Sequence, residues 1–276
     1  VEVAEVRDLV DLIQVLKDVA DMKYHTLFTQ KTKFNRFSES FTEFFSLVSF
    51  SQVRHPLVNN DNLKTAIVVM STERSFVGDL NSRVIARAME ELEKTPGAVL
   101  VTVGKKGVAK LESLGQKSVK VWEDVEDRGF YEVSLEIKDY LVKEVMGGGI
   151  GKVVIVYPWP KDYTVIKPRA VKLLPCEDLL PKQKQSVETF KQILEESDAV
   201  DMIGYLSDIW LSSKILEIFF DTNLAAASAQ TQQLDNSLGK MRKERDIVKL
   251  KYRKARRGDI DKSLREVFSA RMMVTK

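Results

Sequence analysis

His25 and His55 are the only histidines and Cys176 the only cysteine, so the side chains that most often hold a transition metal or act as a nucleophile are scarce. Neither histidine has cysteine or carboxylate neighbours at a metal-ligand spacing. No Gly-x-Ser-x-Gly elbow and no cysteine–histidine pair can be assembled from the sequence. Paired-carboxylate chemistry stays open, because Asp and Glu are spread along the whole chain. The run Gly147-Gly148-Gly149-Ile150-Gly151-Lys152 has the composition of a phosphate loop, but it leaves a helical pattern and enters a strand pattern. A phosphate loop runs the other way, so that a helix N-terminus faces the anion. The residue after Lys152 is Val153, which lacks the hydroxyl that would hold magnesium. Gly104-Lys105-Lys106-Gly107 is too short to distinguish from a turn. The remaining cluster is basic: Lys240, Arg242, Lys243, Arg245, Lys249, Lys251, Arg253, Lys254, Arg256 and Arg257, against only Glu244 and Asp246. It suits nucleic-acid phosphates, a solvated helix face or an acidic protein surface.

The elements that must position this belt are helical. From Phe220 an apolar seam in steps of four and three runs through Leu224, Ala227, Thr231, Leu234, Leu238, Met241, Arg245, Val248, Tyr252 and Ala255, the stepping of a coiled coil. The start of the chain repeats it through Val6, Val10, Ile13, Lys17, Ala20, Tyr24, Leu27, Lys31, Phe34, Ser38, Phe41, Phe45 and Val48. No proline occurs before Pro56, so the first helix is expected to fill residues 1–55. The last helix is expected over residues 198–276, with Ser197 and Asp198 suited to cap it. At 1.5 Å per residue they would measure roughly 70 Å and roughly 115 Å, so the second overhangs the first.

Between the helices, residues 56–176 change to short apolar runs alternating with helical ones, the rhythm of an α/β unit. Strands are expected at Thr65 to Met70, Ala98 to Val103, Lys152 to Tyr157 and, as an irregular edge containing Pro168, Val165 to Leu174. Helices are expected from about Asp79 to Lys94 and from about Tyr131 to Met146. Residues 177–197 connect this unit to the last helix. The composition, 44% hydrophobic and 30% charged with a net charge of +3, is that of a globular protein. No stretch approaches the roughly 20 apolar residues of a membrane span, and Glu2, Glu5, Arg7 and Asp8 make the N-terminus unlike a secretory signal. A lone Cys176 forms no internal disulfide.

Ordered local motifs resemble the gamma subunit family of F-type ATP synthases. Tyr252-Arg253-Lys254-Ala255-Arg256-Arg257, Ile260 and Leu264-Arg265-Glu266-Val267 are similar to the family's Tyr-Asn-Lys-Ala-Arg-Gln, Ile and Leu-x-Glu-Ile, at the same spacing. Leu16 to Lys23 is similar to Met-x-x-Val-Ala-x-x-Lys. Glu73-Arg74-Ser75-Phe76-Val77-Gly78-Asp79-Leu80-Asn81 resembles Asp-Arg-Gly-Leu-Cys-Gly-Gly-Leu-Asn. Val103 to Gly107 and Leu173-Leu174-Pro175 also look like family signatures. The sequence departs from the pattern at Asp79, Arg253 and Arg257, so it is identified as a divergent member.

The resemblance implies an α/β fold in which a long antiparallel two-helix coiled coil, formed by the N- and C-terminal segments, carries an inserted small Rossmann-like domain. It implies a rotor shaft rather than a catalyst, with no cofactor or metal of its own. The expected partners are the ATP synthase alpha and beta subunits, the epsilon (or mitochondrial delta) subunit and the c-ring, with no nucleic acid and no homo-oligomer. Arg253, Lys254, Arg256 and Arg257 are expected to meet the alpha/beta head, with Met272, Met273 and Val274 as an apolar tip in a hydrophobic sleeve. Val187, Glu188, Phe190 and Lys191 are expected near the c-ring and epsilon. The implied location is the surface of an energy-transducing membrane, bacterial or mitochondrial. The redox switch of plant-chloroplast members needs a cysteine pair and is ruled out. The residues by themselves leave two other readings: an α/β ligand-binding or enzyme domain dimerised by its helices, and a basic coiled-coil adaptor for nucleic acid.

Overall fold

The computed structural model describes residues 2–46, 54–176 and 199–274. The elements in chain order are α1 (Glu2–Ser46), β1 (Thr65–Met70), α2 (Leu80–Lys94), β2 (Val99–Val103), α3 (Lys105–Ser113), β3 (Lys120–Trp122), α4 (Val125–Arg128), α5 (Phe130–Met146), β4 (Lys152–Pro160), β5 (Ile166–Leu174) and α6 (Ala199–Val274). Residues 47–53 of the expected first helix and the expected cap at Ser197 and Asp198 lie outside the described residues, while Arg54 and His55, the expected end of that helix, are not helical. The chain divides into two compact units: residues 1–20 with 231–276, and residues 21–230.

In the larger unit one sheet has the order β3-β2-β1-β4-β5, with β1, β2, β3 and β4 parallel and β5 antiparallel to β4. Every residue of β1 is buried, as expected for a central strand covered on both faces. Ala66, Val68 and Met70 point to one side, where α5 contributes Val133, Ile137, Leu141 and Val145 and α6 contributes Ile203, Leu206, Trp210, Leu211, Ile215, Ile218 and Phe219. Ile67 and Val69 point to the other, against Val84, Ile85 and Ala88 of α2 and Leu111 of α3. Each such aliphatic side chain contributes about 1.5–3 kcal/mol when fully buried. The start of α6 is therefore a core helix of the α/β unit. Lys138 of α5 ties it down by donating to both carboxylate oxygens of Asp208, at 2.8 and 3.0 Å. Burial alone would lower the Lys138 pKa, but hydrogen bonds to Asp139 and Asp208 outweigh it and raise the value.

Further along, α1 lies against α6 within this same unit. Tyr24 and Leu27 pack with Phe220, Leu224 and Ala227, and Lys31 forms an ion pair with Asp221. Thr26, Thr29 and Thr32 would ordinarily weaken a helix, yet each turns its hydroxyl to the carbonyl four residues earlier, at 3.0, 3.0 and 2.8 Å, which satisfies it locally. In the smaller unit Val10 and Ala20 of α1 and Leu234, Leu238 and Val248 of α6 are buried. There Lys17 pairs with Asp235, and Arg242 donates to Gln14 Oε1 at 3.0 Å. In both units partners higher in α1 meet partners lower in α6, so the helices are antiparallel.

Candidate interaction surface

A sheet of this topology takes a nucleotide in a crevice outside the carboxyl ends of its parallel strands. At the ends of β1 and β2 that space is filled by the protein itself. Phe219, Thr222 and Asn223 of α6 close over Met70, Ser71, Thr72, Glu73, Val103 and Val125, leaving about 20 Å³, room for one water at most. The backbone donors that could have received a phosphate are also taken. The Glu73 carboxylate accepts from the amides of Lys105 at 3.1 Å, Asp124 at 2.9 Å and Val125 at 3.1 Å. Thr72 and the Asn81 side chain exchange two hydrogen bonds across the following loop, at 3.0 and 2.9 Å. Gly104 has φ +95, and a Cβ there would lie 2.7 Å from the Ser71 carbonyl oxygen, so the β2–α3 turn accepts only glycine.

The second glycine run is equally occupied. The amides of Gly147, Gly148 and Gly149 donate to Lys143, Val145 and Glu144 carbonyls, and those of Gly151 and Lys152 donate to Lys64. These are closing bonds of α5 and an entry into β4. A Cβ on Gly151 would sit 2.1 Å from the Asn62 carbonyl oxygen. Among the described residues no group of His, Cys, Asp and Glu could hold a metal ion. His55 is buried, and its Nδ1 accepts the Leu57 amide at 3.3 Å. Burial lowers its pKa, which suits a packed neutral ring rather than an acid catalyst.

What the protein leaves open is the far part of α6. The seam is covered as far as Val248, and beyond it every described side chain of residues 249–270 is exposed. Tyr252, Ile260, Leu264, Val267 and Phe268 are each at least half exposed. They recur at steps of three and four with Arg256 between them, so they form one apolar stripe along the helix. Arg253, Lys254, Arg256 and Arg257 lie within two turns of one another, and among the described residues none of them forms an ion pair. The structure thus brings four of the expected site residues together on one free surface. Met272, Met273 and Val274 are the final residues of α6, and their side chains are not among those described. Val187, Glu188, Phe190 and Lys191 lie outside the described residues. The occlusion of the sheet's crevice by Glu73 and α6 was not legible in the sequence; Glu73 alone, next to the end of an apolar strand, gave a hint.

A helix that stays regular without cover, and that carries an apolar stripe beside a basic belt, is built to be surrounded by other chains. The sequence profile of the ATP synthase family matches residues 2–272. Among curated proteins, the chain is 26% identical over 222 residues to the ATP synthase gamma chain of Pelotomaculum thermopropionicum, covering 80% of this chain and 77% of that one. It is 24% identical over 277 residues to that of Glaesserella parasuis, covering 96% and 94%. The fold is similar to the central stalk of the Tetrahymena thermophila mitochondrial ATP synthase, with TM-score 0.63 and 14% identity over 82% of this chain and 99% of that one. It is also similar to the rotor of the Euglena gracilis enzyme, with TM-score 0.63 and 16% identity over 94% and 96%. The chain belongs to the ATP synthase family, and within it to the gamma chains. It is accordingly a non-catalytic rotor subunit, the central shaft through which a rotary ATP synthase transmits torque. No helix among the described residues is long and apolar enough to cross a membrane.

Proposed function

We propose that the exposed end of α6 is the part of the shaft that turns inside the head of alpha and beta subunits, and that the α/β unit is the foot that rides on the c-ring beside epsilon or mitochondrial delta. In this reading residues 1–55 and 198–276 form the shaft, 56–176 the foot and 177–197 the connection between them. The carrying observation is the complete exposure of residues 249–270 in a helix whose preceding seam is buried. Arg253, Lys254, Arg256 and Arg257 offer charge to acidic segments of the surrounding beta subunits. Arg257, standing where the family pattern has Gln, makes that contact more dependent on an acidic partner. Met272, Met273 and Val274 form the apolar tip, and Val187, Glu188, Phe190 and Lys191 face the c-ring and epsilon. The similarity to a solved central stalk with its c-ring and to a rotor supports these assignments. The site of action is the surface of an energy-transducing membrane, reached through the c-ring, in a bacterium or a mitochondrion.

The test is purification of the native assembly, where one copy of this chain per three alpha and three beta subunits is expected. A symmetric dimer unaccompanied by ATPase subunits overturns the reading. In the assembled complex, changing Arg256 and Arg257 together to Ala lowers ATP-driven turnover and torque while the chain stays folded, since both side chains are exposed. Unchanged turnover and coupling would remove those two residues from the contact.

A further inference from the structure

Between Val6 and Phe34 the seam of α1 is apolar except at Lys17 and Lys31, and each of these lysines reaches an aspartate of α6, Asp235 and Asp221 respectively. The lysines are two heptads apart, and so are the aspartates in the opposite direction. A single antiparallel register satisfies both pairs. Apolar heptads alone leave register nearly degenerate, because a shift of seven residues brings an equivalent seam residue to the same place. The charges remove that degeneracy. Sliding α1 by one heptad in one direction sets Lys17 opposite Arg242 and Lys31 opposite Ser228; in the other it sets Lys17 opposite Ser228 and Lys31 opposite Lys214. Either error loses both ion pairs and brings one lysine against another cation.

We propose that Lys17–Asp235 and Lys31–Asp221 are the register pins of the shaft: positioning residues that fix the alignment of α6 against α1. The inner pair is the stronger discriminator, because the Asp221 side chain is only 3% exposed and that of Lys31 18%, so an unpaired charge there has little water to turn to. Register pins also explain why polar residues interrupt an otherwise apolar seam, since such interruptions select one alignment at a cost in stability. The hydroxyl of Tyr163, donating to Asp21 at 2.7 Å, favours the same alignment. A one-heptad slip would move the free end of α6 by on the order of 10 Å. That consequence for torque rests on the rotor reading above; the register itself does not.

The experiment uses this chain alone, so its outcome is independent of assembly with other subunits. Spin labels are placed at Val15→Cys and Leu250→Cys, both exposed sites, with the buried Cys176 changed to Ala, and the distance between labels is measured by pulsed electron resonance. The unaltered pairs give one distance. In Lys17→Asp/Lys31→Asp the native register sets like charges together, whereas a slip in either direction meets Arg242 or Lys214. Most of the population is then expected to shift by on the order of 10 Å. Adding Asp221→Lys and Asp235→Lys restores the original distance. A folded double variant that keeps the original distance overturns the proposal. If the double variant loses its helical signal, the fourfold variant decides: recovery of helix and original distance supports the pins, and failure to recover either overturns them.

Discussion

Replacing Lys31 by Met leaves the Asp221 carboxylate buried with its principal partner gone. The side chain of Asp221 is 3% exposed, and its pKa is raised by burial, against which the charge and hydrogen bond of Lys31 push it back down. Removing one member of a buried pair typically costs about 3–5 kcal/mol, and the lower end is expected here because Arg169 also lies within electrostatic reach. The pH dependence follows from the sign of the shift. A carboxyl whose folded pKa lies above its unfolded value of 3.8 contributes stability that is complete below that value and lost as pH rises through the folded pKa. Lys31→Met raises the folded pKa further, so its deficit is smallest in acid and greatest near neutrality. Lys31→Met/Asp221→Leu removes both charges and is expected to fall within about 1 kcal/mol of the parent or to exceed it. The assay is guanidinium unfolding of the isolated chain at several pH values, followed by far-ultraviolet dichroism. A Lys31→Met cost below about 1 kcal/mol near neutrality, the range of exposed pairs, would refute the reasoning.

Glu73→Ala withdraws one carboxylate from three amides and is expected to cost about 1.5–3 kcal/mol, with faster hydrogen exchange localised to Lys105, Asp124 and Val125. His55 is held neutral by burial and its folded pKa lies below 6.5. It therefore contributes stability that is present above 6.5 and lost as pH falls through the folded value, and His55→Gln should flatten that part of the stability profile. Gly258 sits inside α6, and a Cβ added there would meet nothing within 4 Å. Gly258→Ala should therefore strengthen the uncovered helix by about 0.5–1 kcal/mol, read as slower amide exchange across residues 249–270.

The long helices were legible because their apolar residues recur at coiled-coil steps, and the buried side chains of α1 at Val10, Ala20, Tyr24 and Leu27 fall on the expected seam. The strands β1, β2 and β4 were legible as apolar runs. The helix α3 was not, because its first turn is Lys105-Lys106-Gly107 and its buried contacts are only Gly107 and Leu111, too few to show a period. The strand β3 has three residues, one of them buried, and draws its place from pairing with β2. Further, β4 runs on past Tyr157 to Pro160 although prolines disfavour strands. It continues because β5 lies antiparallel beside it, with Pro158 opposite Pro168, an arrangement set by the partner strand rather than by the local sequence. The basic belt was visible from composition, but the full exposure of Arg253, Lys254, Arg256 and Arg257 beyond the buried seam residue Val248 was not, because it depends on what packs against α6 rather than on its own sequence.

The most direct test of the rotor account is to fix the alpha and beta head to a surface, attach a visible probe to an exposed residue of the foot such as Lys161, and watch during ATP hydrolysis. The account predicts that the probe turns continuously in one direction, and that it stops when ATP is withheld. Hydrolysis at full rate with a stationary probe would contradict it.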